Sequence, residues 1–431
     1  MNEIDRKLED RELSGKPIQV ALIGAGQMGT EIIAQVGEMV GMRISVVVDL
    51  TVEKAMEGYQ ASKKKAEIVN AADLKEAEKA LKDGKLIATT NYALAVSLPS
   101  IEAVIEATGS PEMGAAVALE CIRHKKHIIM MNVECDVTVG PLLRQLAENA
   151  GVVYSLASGD EPAAIIELCR FAKSLGFRIV AAGKGKNNPL DIYATPDQWL
   201  EKAKERKMNC RMLVEFVDGT KTMVEMTAVS NATGLVPDVR GMHGPRVLVK
   251  DLSKVFCRRD QGGILTREGV VDFAIGDVHP GVFVVITTDN KKIREGLIQR
   301  DMGHGPNYLL FRPFHLCSLE VPLTIARAVF YGESSGHSLY RMSSECIAIT
   351  KKELPANEVL DGIGEYCCRG SIDTAASARE QNLLPLGLAQ GSVLKHAVDK
   401  GTALSYDMVT MSGNSVLFHL RKLYDKLISI N

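Results

Sequence analysis

The run Gly24-Ala25-Gly26-Gln27-Met28-Gly29 stands where an apolar stretch, Ile18 to Ile23, gives way to a helical pattern from Thr30 to Val40. In a turn of this kind Gly24 makes the sharp bend, Gly26 lets a pyrophosphate approach the backbone, and Gly29 lets the helix pack on the strand. The helix N-terminus then meets the phosphates. Gly24, Gly26, Gln27, Met28 and Gly29 are therefore expected to hold a dinucleotide. Asp49 closes the next β-branched run, Arg43 to Asp49. A carboxylate there accepts from the adenosine ribose 2′-hydroxyl and repels a 2′-phosphate, which favours NAD over NADP. Its competing role is to cap the helix that follows through Thr51 and Glu53.

Further polar groups fall at the ends of later apolar runs. Ala107-Thr108-Gly109-Ser110 ends the fourth strand, which places Thr108 and Gly109 beside the cofactor. Asn132-Val133-Glu134-Cys135-Asp136 ends the fifth. It brings Asn132 to the cofactor and aims Glu134 or Asp136 at the nicotinamide region, with capping as the alternative for Asp136. Asp160, in Ser158-Gly159-Asp160-Glu161-Pro162, either handles protons or caps the next helix. The segment Gly183 to Pro189 reads as a polar loop after a buried strand. It packs Lys184, Lys186, Asn187 and Asn188 together, and ammonium groups held this close call for an anion between them, a phosphate or a carboxylate. Asn231 and His243 belong to a second polar cluster, where His243 titrates near neutrality. Arg312, in Arg312-Pro313-Phe314-His315, belongs to a third. Lys184, Lys186, Glu134, Asp160 and His243 are the expected catalytic group, and Asn187, Asn188, Asn231 and Arg312 the expected substrate contacts. No spacing identifies metal ligands, although a divalent metal suits the chemistry.

These residues need a scaffold. Apolar runs at Lys85 to Thr90, Ile101 to Thr108 and His127 to Met131, separated by helical segments at Pro111 to His124 and Gly140 to Ala150, imply an α/β fold with a doubly wound parallel sheet of Rossmann type. Its core is expected at Val20, Leu22, Val46, Val48, Val104 and Ile129. A mixed α+β middle domain follows, with a helix at Pro162 to Leu175, a strand at Phe177 to Ala182 and further strands near 282–288 and 308–314. Gly332 to Ser344 reads as a linker to a small β-rich tail. The expected domains are 1–155, 156–335 and 345–431. The 431 residues are 46% hydrophobic and 24% charged, with a net charge of −2, which disfavours disorder, nucleic acid and anionic membrane as partners. Nine scattered cysteines and an N-terminus without a secretory pattern suggest buried free thiols in a cytoplasmic protein.

Taken together, Met130 to Glu134, Ser158 to Pro162, Gly183 to Leu190, Leu213 to Val224, Asn231 to Pro237, Gly241 to Pro245 and Ser318 to Pro322 resemble the DXR-like (DRL) family. This is a second class of 1-deoxy-D-xylulose 5-phosphate reductoisomerase, with a homoserine-dehydrogenase-like body and a C-terminal SAF domain. The resemblance spans nearly the whole chain. It implies reduction and isomerisation of that keto sugar phosphate to 2-C-methyl-D-erythritol 4-phosphate, with NADPH as reductant, whereas Asp49 points to NAD. Val133 stands where homoserine dehydrogenases carry a lysine, and their version of the Lys184 to Pro189 loop is uncharged. Two alternatives remain at this stage. One is an NAD(P)-dependent dehydrogenase of another sugar phosphate, sugar acid or homoserine-like alcohol, and the other a non-catalytic NAD(P)-binding sensor. A homo-oligomer is expected, because the middle sheet needs its outer face covered.

Overall fold

The computed structural model describes residues 3–411 and 413–430. Its strands follow the apolar runs closely. β1 (Ile18–Ile23), β2 (Met42–Val48), β3 (Ile68–Val69), β4 (Leu86–Thr89), β5 (Ala103–Glu106), β6 (His127–Met130) and β7 (Tyr154–Leu156) form one seven-stranded sheet in the order β3-β4-β2-β1-β5-β6-β7, with every pairing parallel. β1 lies at the centre and is buried nearly throughout, as expected for a strand with helices on both faces. All six expected core residues are buried, none more than 4% exposed. The chain winds outward from β1 in both directions. The carboxyl ends of β1, β2 and β5 therefore frame the crevice where such sheets bind ligands.

Two helix boundaries differ from expectation for local reasons. The helix expected from Gly140 begins at Val133 and runs to Ala150, because Asn132 caps it: its Oδ1 accepts from the Cys135 N–H at 3.1 Å. Pro141 lies inside it. The helix after the glycine turn starts at Gln27 rather than Thr30, so the turn and the first helical residues overlap.

A second, four-stranded sheet contains β8 (Arg178–Lys186), β9 (Val270–Ile275), β10 (Val282–Thr287) and β11 (Asn307–Arg312), in the order β11-β10-β8-β9. β10 runs antiparallel to both β11 and β8, and β9 runs parallel to β8. Phe256, Phe283 and Leu265 lie in its core. The tail forms β12 (Ser344–Thr350) paired antiparallel with β13 (Cys368–Thr374), and a small pair of β14 (Val393–Leu394) and β15 (Val409–Thr410). The chain divides into two compact units. One holds Met1–Ala163, Leu316–Tyr340 and Lys422–Asn431, and the other Ala164–His315 and Arg341–Arg421. Among the described residues no helix is long and apolar enough to cross a membrane, and all nine cysteines are free.

One expectation is corrected here. The polar stretch after Ala182 is not a loop from Gly183, because β8 continues through Lys186. Charge alone had argued against a buried strand, but both lysines find partners on the protein. Gly183 and Gly185 also let neighbouring backbone approach where a Cβ would lie 2.1 Å from the Asp272 carbonyl oxygen and 2.1 Å from the His279 nitrogen.

Candidate functional site

In the first unit the three glycines divide the labour as their spacing predicts. Gly24 sits at φ +100°, and a Cβ there would lie 2.7 Å from the Ala107 carbonyl oxygen. Gly29 presses on the same turn, where a Cβ would meet the Gly24 carbonyl oxygen at 2.1 Å. Gly26 is different. It is exposed, its backbone is ordinary, and a Cβ would meet no protein atom within 4 Å. Only a ligand would feel a side chain there. The helix Gln27–Glu38 also begins without a capping side chain, which leaves its first N–H groups for an anion.

Asp49 braces this turn. Its Oδ2 accepts from the Ala25 N–H and its Oδ1 from the Leu50 N–H, both at 2.7 Å. The cap of the next helix is Thr51, whose hydroxyl accepts from the Lys54 N–H at 3.2 Å. The capping alternative for Asp49 therefore falls. Each carboxylate oxygen retains a second lone pair for a ribose hydroxyl.

The ends of β5 and β6 are stitched together. Asn132 Nδ2 donates to the Ser110 carbonyl at 2.7 Å, while its Oδ1 caps the following helix. Thr108 donates to Glu106 Oε1 from its N–H at 3.0 Å and also from its hydroxyl. Gly109 turns at φ +70°. Glu106 was not anticipated. It is wholly buried at the carboxyl end of β5, its Oε2 has no partner, and burial pushes its pKa up to about 7. The signal was present in the sequence as an acid closing an apolar strand just before Ala107-Thr108-Gly109.

The acids beyond β6 have separate roles. Asp136 does not cap. It accepts from Tyr154 Oη at 3.0 Å and from Ser338 Oγ at 3.1 Å, and burial raises its pKa to about 6. Glu134 is buried in the first turn of the same helix. Asp160 is also buried, with Cys317 Sγ 3.5 Å from its Oδ1. Nearby, Ser158 donates its N–H to Thr324 Oγ1 at 2.8 Å.

In the second unit Lys184 and Lys186 are only 6% and 5% exposed. Lys184 Nζ donates to the buried Glu225 carboxylate. Lys186 Nζ donates to the Phe216 carbonyl instead, and among the described residues no carboxylate lies within ion-pair distance of it. Burial first, and the Lys184 charge second, lower the Lys186 pKa to about 8. An anion would reverse both effects. Asn187 and Asn188 continue outward: Asn188 Nδ2 donates to Asn187 Oδ1 at 3.1 Å, and Arg206 donates to Asn188 Oδ1 at 2.9 Å.

The other expected residues also have partners on the protein. His243 Nδ1 lies 2.8 Å from Asp272 Oδ2 and its Nε2 lies 3.5 Å from Asp238 Oδ2, and the Asp272 carboxylate raises its pKa. Asn231 is fully buried, and its Oδ1 accepts from the N–H groups of Ser343 and Ser344 at 2.8 and 3.0 Å. It holds the entry to β12, while its Nδ2 is buried with no hydrogen-bond partner among the described residues. Arg312 reaches Glu167 at 3.4 Å and lies over the Phe314 ring at 4.9 Å.

A doubly wound sheet with this glycine turn, followed by a second unit with desolvated lysines, is the architecture of an α/β oxidoreductase. Residues 159–321, the segment carrying Asp160, Lys184, Lys186, His243 and Arg312, match the model of the catalytic domain of oxidoreductase DRL. No curated protein matches the chain. Among solved structures, a probable dehydrogenase from Thermotoga maritima is 13% identical over 74% of this chain and 90% of its own, with a TM-score of 0.41. An NAD binding oxidoreductase from Klebsiella pneumoniae is 13% identical over 63% and 64%, with a TM-score of 0.31. Myo-inositol dehydrogenase from Lactobacillus casei, solved with NAD(H) and myo-inositol, is 12% identical over 70% and 68%, with a TM-score of 0.31. Likenesses this distant say nothing about ligand or substrate.

Proposed function

We propose that the protein is an NAD(P)H-dependent reductoisomerase that converts 1-deoxy-D-xylulose 5-phosphate to 2-C-methyl-D-erythritol 4-phosphate. The observation that carries this reading is Lys186, a buried ammonium with no carboxylate within ion-pair distance among the described residues, next to the Lys184–Glu225 pair in a segment that matches the DRL catalytic domain. A desolvated cation of this kind favours a bound anion, and the phosphate of the substrate supplies one.

The first unit fits the cofactor. Gly24, Gly26, Gln27, Met28 and Gly29 would cradle the pyrophosphate, Asp49 would accept from the adenosine ribose, and Thr108, Gly109 and Asn132 would flank the remainder. When bound, NADPH or NADH would supply the hydride. The chain's own residues do the rest. Lys184 and Lys186 hold the phosphate, and Asn187, Asn188 and Arg312 orient the sugar oxygens. The rearrangement moves one carbon–carbon bond and leaves an aldehyde of the same composition. That step needs a group to take a hydroxyl proton and a group to return one. Glu134 and Asp160, buried acids, and His243, whose pKa the hydrogen-bonded Asp272 carboxylate raises, are the groups available for this. Reduction of the aldehyde then consumes one hydride and one proton.

A nicotinamide absorbance screen of purified protein tests the reading. The panel contains phosphorylated keto sugars, their dephosphorylated analogues and homoserine, each with and without a divalent cation. Turnover confined to a phosphorylated keto sugar is expected. Turnover of homoserine or of unphosphorylated sugars in preference would overturn it.

A further inference from the structure

The seven-stranded sheet changes winding direction between β1 and β5, which are neighbours in the order β2-β1-β5-β6, and the crevice opens at that point. Glu106, the last residue of β5, lies opposite Ile23 on one side and Met130 on the other. The glycine turn begins one residue after Ile23, and the Ala107 carbonyl is the group that a Cβ on Gly24 would strike. A dinucleotide whose adenosine meets Asp49 after β2, and whose pyrophosphate meets the glycine turn after β1, carries its nicotinamide on toward β5 and β6. Glu106 therefore lies on the nicotinamide side of the turn.

Its carboxyl is held in place but not completed. Oε1 accepts from the Thr108 N–H and hydroxyl, while Oε2 is buried with no partner. Gly114 lets the helix Pro111–Arg123 close on the start of the helix Val133–Ala150, where a Cβ would meet Cys135 Cβ at 2.9 Å and Asn132 Nδ2 at 3.0 Å. The carboxyl is thus out of solvent, and desolvation moves its pKa up to about 7. The titratable groups facing it are Cys121 on the first of these helices, Glu134 and Cys135 on the second, and Tyr154 on β7. Burial pushes both thiols and the phenol upward, which keeps them neutral near pH 7, and Glu134 adds a like charge that raises Glu106 further. Asp136, bonded to Tyr154 and Ser338, titrates lower, at about 6. Near pH 7 Glu106 passes between a neutral acid and a buried anion, and a charge in such surroundings is weakly screened. Oxidised and reduced nicotinamide share their ribose and phosphates and differ by the positive charge on the ring.

We propose that Glu106 sets the preference of the first unit between the two redox states of the cofactor: its charge, when present, favours the cationic oxidised ring over the neutral reduced one. This rests on the dinucleotide reading of the first unit and is independent of the substrate. Glu106 acts through space and by fixing the Thr108 turn, so no contact with the ring is required.

The test measures binding rather than turnover. Full-length protein is titrated with NADH and NAD, and with NADPH and NADP, the reduced forms by fluorescence and the oxidised forms by calorimetry. In wild type the affinity for the oxidised form relative to the reduced form should rise by about fivefold or more from about pH 6 to about pH 8.5, the size expected when a cationic ring makes the acid about tenfold stronger. Titration of the shared phosphates cancels in this ratio. Glu106→Gln should bind both forms with a ratio that stays flat at its low-pH value. Glu106→Asp, which keeps an ionisable carboxyl, should keep a rising ratio, and a flat ratio there overturns the role of the charge. A Glu106 that only supports the fold would change both affinities together and leave the rise in place in Glu106→Gln. That result, or a ratio independent of pH in wild type, overturns the proposal while the dinucleotide reading stands. Wild-type protein that binds none of the four nucleotides overturns both.

Discussion

Glu106 illustrates what a single buried carboxyl does at the edge of this sheet. Exposed, it would ionise near 4.5, whereas desolvation in the fold raises this to about 7. The folded state therefore binds the proton more tightly, and the stability this contributes is present at low pH and lost as pH rises through that window. Glu106→Gln should consequently be more stable than wild type at pH 8, by up to about 3 kcal/mol, with the difference vanishing near pH 4. Melting curves at the two pH values check this, and equal curves at pH 8 would contradict it. The glycine turn offers a second separation. Gly26→Val adds a side chain where no protein atom lies within 4 Å, so it should melt like wild type yet bind the cofactor about a hundredfold more weakly, in keeping with a blocked pyrophosphate approach. Gly29→Ala meets the Gly24 carbonyl oxygen instead and should lose about 1–3 kcal/mol of stability. Denaturant titration with cofactor fluorescence distinguishes the two behaviours.

Among the elements, those with strong apolar patterning were legible in the sequence and those stabilised by specific long-range pairs were not. β1, β2, β5 and β6 are continuous β-branched and aliphatic runs buried by helices, so local composition and tertiary environment agree. The end of β8 is the counterexample. Gly183-Lys184-Gly185-Lys186 has the alternation of a strand, with the lysines on one face and the glycines on the other. Its charge nevertheless read as loop, because Glu225 and the Phe216 carbonyl, the groups that make burial of the lysines tolerable, are distant in sequence. The same reasoning applies to Asn231 and His243, whose protein partners, backbone N–H groups and two aspartates, are distant in sequence, while Asn231 Nδ2 and His243 Nε2 are buried without a hydrogen-bond partner among the described residues. Gly185→Ala would place a Cβ 2.1 Å from the His279 nitrogen. It should cost about 1–3 kcal/mol and displace the two lysines, so urea denaturation should register the loss together with weaker phosphate binding. A fully stable Gly185→Ala protein would contradict this packing.

For the whole molecule, the expected linker is the instructive difference. Gly332 to Ser344 lacks apolar periodicity, yet it is not free. Gly336 accepts at its carbonyl from the Leu156 N–H at 2.7 Å, Ser158 donates its hydroxyl to Ser335 at 2.8 Å, and Ser338 donates to Asp136 at 3.1 Å. Hydrogen bonds from small polar residues hold it in place, and hydrophobic patterning cannot reveal them. Within the second unit the tail is joined to the start of the helix Thr220–Thr233 by the buried Lys351–Asp218 pair. Lys351→Met should leave Asp218 buried without its cation and cost about 3–5 kcal/mol, with Lys351→Met combined with Asp218→Leu costing less than Lys351→Met alone. Chemical denaturation of the two variants measures this, and a stable single variant would argue that the tail folds independently as a domain from residue 345. The central claim concerns chemistry, and carbon NMR of the product tests it most directly. Incubated with 1-deoxy-D-xylulose 5-phosphate and NADPH or NADH, the protein is predicted to oxidise the cofactor one-for-one with the appearance of the branched polyol phosphate. Cofactor oxidation that yields an unbranched product, or no oxidation with either nucleotide, would contradict it.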